Sequence, residues 1–234
     1  MDWECRWSHG QIRQIRPRAV IANYRWVAKA ILDQAKPAGP KLLFLVHDLF
    51  SRRAEALEFA PAMSFWVRTD PDTERRMLAA PEVLIAITEE DASYLRLWFP
   101  KKKMLVAPMS ARASIASSSS GSGHCLFVGS RSGGNTDGLF WFLESVWPLI
   151  LKKLPDAHLD VYGSVCKLFT NPYPQVILHG VVPTLAPAYA RSDLAIIPLR
   201  AGSGLKIKLI EAPAHGRAVV SIPVGLHGVE LLAG

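Results

Sequence analysis

Cysteine is scarce in this 234-residue chain, and long apolar runs are missing altogether. Cys5, Cys125 and Cys166 stand far apart and have none of the paired spacings that hold zinc, so neither a metal site nor a disulfide framework is indicated and a reducing, cytoplasmic setting fits. Runs such as Leu42–Val46 have the length of a strand, far below the roughly 20 residues that cross a bilayer. Met1 is followed by charged residues and tryptophans, not by the apolar core of a secretion signal. No Gly-x-Gly-x-x-Gly with an acidic residue about twenty positions on opens a strand–helix unit, which argues against a dinucleotide-dependent oxidoreductase. There is no basic arm either: the formal net charge is +7, and the basic and acidic residues are spread over both halves. With no face combining aromatic and basic residues, nucleic acid is not an expected partner. The densest run, Lys101–Lys103, reads as a solvated loop. The excess charge still suits an anionic substrate, or peripheral contact with the anionic inner face of a membrane.

What is present is a chain that is half apolar and large enough to bury a core without repeats. Short apolar runs at 19–23, 41–48, 83–87 and 104–108 read as strands, with helices expected over 26–35, 72–80 and 89–99. Hydrophobicity along 41–46 is continuous rather than alternating, as in parallel sheets covered on both faces. The Ser/Gly stretch 114–123 cannot pack a core and marks a linker between a domain over 1–113 and a second over 124–234. The second series alternates strand and helix: strands at 124–129, 158–163, 176–180, 194–198 and 218–222, helices at 137–154, 185–190 and 205–215. Such alternation predicts an α/β protein with doubly wound parallel sheets, in which ligands sit beyond the carboxyl ends of the strands.

The stretch Arg200-Ala201-Gly202-Ser203-Gly204-Leu205-Lys206-Ile207-Lys208-Leu209-Ile210-Glu211 follows one of these strands. Two glycines let backbone amides approach a ligand, and an expected helix start at Leu205 offers its unpaired N–H groups to a pyrophosphate. Lys206 and Lys208 in a first turn oppose the helix dipole unless an anion is bound there. Glu211, about a turn deeper, is placed to accept hydrogen bonds from ribose hydroxyls. The plainer alternative is a tight loop with solvated lysines and a Glu211–Lys208 pair at helical spacing.

That run, followed by Gly216-Arg217-Ala218-Val219-Val220-Ser221 and Val224-Gly225-Leu226-His227-Gly228, resembles the donor region of group 1 glycosyltransferases. Phe127-Val128-Gly129-Ser130 with Asn135, Gly138-Leu139 and Pro148 is similar to that family's first donor-domain strand and helix, and Val46-His47-Asp48-Leu49-Phe50-Ser51 to a stretch of its acceptor domain. The resemblance implies two Rossmann-like domains (GT-B architecture), the N-terminal one incomplete here, and retaining transfer from a nucleoside-diphosphate sugar to a glycan or lipid-linked acceptor. It implies that Gly202, Ser203, Gly204 and Leu205 hold donor phosphates through backbone amides, with Lys206, Lys208, Gly129 and the basic Arg131 assisting. Glu211 would bind ribose and His47 would face the transferred sugar as the catalytic residue. No cofactor or metal is implied, the nucleotide-sugar being a co-substrate, and polysaccharide assembly is the expected setting. Ser203 stands where the family often has the first of two paired glutamates. The resemblance also implies that the chain is a fragment or a reduced homologue, without the closing helix of its second domain. Binding without turnover and nucleotide-sugar epimerisation are the alternatives.

Overall fold

The computed structural model describes residues 3–23, 39–52, 69–114, 121, 123–170, 172–202 and 204–229. These residues form two compact units, one running to Pro108 and the other from Met109. The helix expected over 26–35 and most of the Ser/Gly stretch lie outside the described residues.

The first unit contains α1 (Trp3–Ile15), β1 (Ala19–Asn23), β2 (Lys41–Val46), α2 (Pro71–Ala79), β3 (Val83–Ala86), α3 (Glu89–Trp98) and β4 (Lys103–Val106). Its strands lie in the order β1-β2-β3-β4, all parallel. Local chemistry sets the helix starts. The Asp70 carboxylate accepts from Thr73 N at 2.8 Å, with Pro71 in the first turn where its missing N–H costs nothing. At α3, Thr88 Oγ1 accepts from Asp91 N at 3.0 Å and donates to Asp91 Oδ2 at 2.8 Å. Leu42, Phe44, Val46, Leu84, Ala86 and Leu95 form the core. Helix α1 answers to none of the elements expected from the sequence. The lysine run also differs from expectation: Lys102 Nζ donates to the carbonyls of Leu78, Ala79 and Pro81, satisfying the end of α2, and burial lowers its pKa.

The second unit contains β5 (His124–Val128), α4 (Gly133–Trp141), a π turn (Phe142–Val146), α5 (Trp147–Lys153), β6 (His158–Tyr162), a 3₁₀ turn (Ser164–Leu168), β7 (Val176–Gly180), α6 (Ala186–Arg191), β8 (Leu194–Ile197), α7 (Lys208–Ala214), β9 (Ala218–Ser221) and a last 3₁₀ turn (Pro223–Leu226). All five strands are parallel, in the order β7-β6-β5-β8-β9. Central strands β5, β6 and β8 are buried along most of their length, as continuous hydrophobicity requires, whereas edge strand β9 alternates. One face packs Phe127, Leu159 and Val161 against Leu139, Leu143 and Trp147; the other packs Leu126, Tyr162 and Ala195 against Ala188, Tyr189 and Ala212.

Two expected helices have different shapes. The single helix over 137–154 begins earlier and is interrupted by the π turn, where Trp147 N donates to Phe142 O. Pro148, in the first turn of α5, has no N–H for a carbonyl one turn back, and the wider turn accommodates that loss. The helix expected from Leu205 begins at Lys208, because Gly202 (φ 144°) and Gly204 (φ 69°) hold the preceding chain in left-handed backbone.

Candidate functional site

Strand order in the second unit reverses between β5 and β8. The connections leave in opposite directions there, opening the crevice in which ligands of open parallel sheets bind. Two loops frame it, one after β5 (Gly129–Ser132) and one after β8 (Pro198–Ile207).

The β5 loop is held by backbone. Gly129 N donates to Tyr162 O at 2.9 Å, and Gly129 O accepts from Val165 N at 3.3 Å. A side chain at Gly163 (φ +102°) would place its Cβ 2.1 Å from Gly129 O, so the ends of β5 and β6 approach this closely only with glycine there. Arg131 N donates to Ser164 Oγ at 2.8 Å, while the Arg131 side chain is exposed. Its expected help with phosphates therefore has no fixed geometry behind it.

The β8 loop brings Lys208 to the crevice by a route the sequence did not suggest. Lys208, at the start of α7, reaches across the switch point: its Nζ donates to Asn135 Oδ1 at 2.9 Å and lies 4.5 Å from the centroid of the buried Phe127 ring. Burial pushes its pKa down to about 7, and the neighbouring charge of Lys206 adds to the shift. Lys208 is thus neither solvated nor paired with Glu211. Lys206 precedes the helix, and its Nζ donates to Gly204 O at 2.7 Å. Since α7 starts at Lys208, neither Leu205 nor Lys206 lies in its first turn, and of the two lysines only Lys208 opposes the helix dipole. Gly204 is buried and Leu205 half-buried; Ser203 lies outside the described residues. Glu211, one turn into α7, accepts from Tyr189 OH at 3.3 Å, with the His215 ring stacked 4.7 Å from that of Tyr189.

Sequence reasoning missed two residues here. Asp137 of α4 receives Arg200 through two bonds, Nε to Oδ2 at 3.0 Å and Nη2 to Oδ1 at 2.6 Å. No short spacing announces a pair 63 positions apart, although a carboxylate in a helix beside an invitingly placed guanidinium is the usual bidentate match.

In the first unit, His47 follows β2, its Nε2 3.1 Å from Asn23 Oδ1 at the end of β1; burial lowers its pKa, with Asp48 opposing. The backbone beyond it is fixed by Glu74 of α2, a buried carboxylate accepting from Phe50 N and Ser51 N, each at 2.8 Å. Glu74→Ala is expected to cost about 2–4 kcal/mol in denaturant unfolding, because two buried N–H groups lose a charged acceptor. Exposed Glu82→Ala serves as the control, and equal effects would remove the anchoring role. Among the described residues, no group of three or more His, Cys, Asp or Glu side chains could hold a metal ion, and no helix is long and apolar enough to cross a membrane.

Residues 122–233 match the family model described as glycosyl transferases group 1. A Klebsiella pneumoniae protein, described as an uncharacterized 44.6 kDa protein in the cps region, is 27% identical over 115 residues, 44% of this chain and 30% of that protein. Among solved structures, sucrose-phosphate synthase of Thermosynechococcus elongatus superposes with a TM-score of 0.73 at 14% identity, covering 95% of this chain and 60% of that one. TarM of S. aureus gives 0.71 at 12% (96% and 46%), and the pneumococcal O-GlcNAc transferase GtfA 0.66 at 13% (93% and 44%). At such identities the likeness is one of fold. The chain spans under a third of its curated relative and about half of TarM and GtfA. The second unit is thus similar in sequence to the group 1 glycosyl transferases over residues 122–233, and the chain shares the fold of its two parallel sheets with these solved structures.

Proposed function

We infer that this chain is part of an enzyme that transfers a sugar, with retention, from a nucleoside-diphosphate sugar to a glycan or lipid-linked acceptor. The observation that carries the reading is Lys208 reaching Asn135 across the crevice between β5 and β8, with Lys206 as its neighbouring charge and Gly202 and Gly204 in the loop before it. Two lysines beside glycine backbone suit the diphosphate of the donor, which keeps the electron pair of the broken C–O bond, gains a negative charge as it leaves, and needs charge stabilisation more than a side-chain nucleophile. Glu211, a turn further along α7, is assigned to the ribose hydroxyls, with Tyr189 setting its carboxylate. His47 keeps its proposed catalytic role on the acceptor unit. The TarM and GtfA structures hold UDP, which makes UDP the first probe. The position of the curated relative in a cps region supports polysaccharide assembly as the setting.

A thermal-shift titration with UDP, GDP, ADP and NAD tests the reading, since a ligand bound only by the folded state raises the unfolding temperature. A rise with one nucleoside diphosphate and none with NAD is expected; no rise with any of the four counts against a donor site in this chain. Glu211→Ala should then weaken binding of the responding nucleotide by about 1–3 kcal/mol, the cost of leaving hydroxyl partners unpaired. Unchanged affinity in a folded variant would remove Glu211 from the site.

A further inference from the structure

Helix α4 holds both ends of the glycine loop. At the entrance, Arg200 makes its two bonds to Asp137, at 3.0 and 2.6 Å, and its guanidinium carbon lies 5.9 Å from the centroid of the Trp141 ring, one turn along the same helix. Between those residues is Gly138, where a Cβ would stand 2.4 Å from Pro198 O, so helix and loop entrance are in backbone contact. At the exit, Lys208 reaches Asn135 at 2.9 Å. The described positions 201, 202 and 204–207 therefore lie between the Arg200–Asp137 pair and the Lys208–Asn135 bond, both made to one helix. Within that span, Gly202 and Gly204 adopt left-handed backbone, which has little local preference to hold it.

We propose that Asp137 and Arg200 are positioning residues, a clamp that keeps the glycine loop in the shape that receives the donor diphosphate. The proposal rests on the donor-site reading. Asp137 already engages two of Arg200's donors and neutralises its charge, so Arg200 acts on the loop and not on the phosphates. Lysine at position 200 would keep the charge but lose the two-pronged bond.

The test uses the full chain and its Asp137→Asn and Arg200→Lys variants. Calorimetry measures the affinity of each for UDP, GDP and ADP and for the matching monophosphates, and hydrogen exchange follows the amides of 201–207. Either variant should weaken the responding diphosphate roughly tenfold and the monophosphate much less, with faster exchange confined to the loop and the unfolding temperature little changed. A merely structural role would lower both affinities together. Unchanged diphosphate affinity overturns the clamp. So does tighter binding in Asp137→Asn, which would mean that Arg200, once released, contacts the anion itself. Arg200→Lys decides the matter if Asp137→Asn does not fold. If the wild-type chain binds none of the diphosphates, the donor-site reading fails by itself. Loop exchange then still judges the clamp, faster in the variants supporting it and unchanged overturning it.

Discussion

Between pH 7.5 and 8.5, affinity for a nucleoside diphosphate is expected to fall by about eightfold, because binding has to return a proton to Lys208. With its pKa lowered to about 7 by burial and by Lys206, the ammonium is only half formed at neutral pH. A bound diphosphate favours the charged form and raises the pKa in the complex. Binding therefore takes up a proton between the two values, affinity is full below pH 7, and it declines as pH rises above it. Phosphate's own second ionisation, near about 6, lies below this window and does not mimic the slope. Stability of the unliganded protein should run the opposite way. Its folded-state pKa is below the ordinary 10.5, so the unfolded chain binds more protons from about pH 7 upward and stability rises with pH across that interval. Calorimetry in buffers of different protonation enthalpy measures the uptake directly. Lys208→Met should bind weakly at every pH with no slope, and a slope that survives this substitution would assign the titration to another group.

Trp147→Ala is expected to remove about 3–5 kcal/mol from the stability of the second unit, a large part of the 5–15 kcal/mol usual for a domain. The side chain is 1% exposed, packs against Phe142 with ring centroids 6.0 Å apart, and donates from Nε1 to Pro174 O at 2.8 Å. Truncation opens a cavity between α5 and the sheet and strips that carbonyl of its donor. Trp147→Phe keeps most of the apolar volume and should cost less than half as much. Denaturant unfolding followed by circular dichroism measures both; a loss near 1 kcal/mol for Trp147→Ala would mean that the core collapses around the gap.

Much of the sheet was legible because buried parallel strands are written as continuous apolar runs: β8, buried along most of its length, falls at Leu194–Ile197, inside the 194–198 expected from the sequence alone. What escaped depends on partners far away in the chain. Nothing near Lys208 announces that it will reach Asn135 and lose solvent, and nothing near Glu74 announces two backbone donors from residues 50 and 51. The late start of α7 is a local failure of a different kind. Helical spacing from Leu205 was real, but the left-handed backbone at Gly202 and Gly204 delays the first turn. For the same reason the lysines stood out in the sequence, while the route by which Lys208 reaches Asn135 did not.

The π turn after α4 gives the chain a tolerance at an unusual place. It spreads one extra residue over about the rotation of an ordinary turn, so taking the exposed Ser145 out would close the wide turn into a regular ladder and leave the residues beyond it in nearly the same phase. Leu139 and Trp147 would both still face the sheet, with the carbonyl of Pro174 within reach of the indole. The cost would fall on Pro148, which has no N–H to offer the tightened ladder. Relatives of this chain that are one residue shorter here should accordingly lack a proline at the position of Pro148.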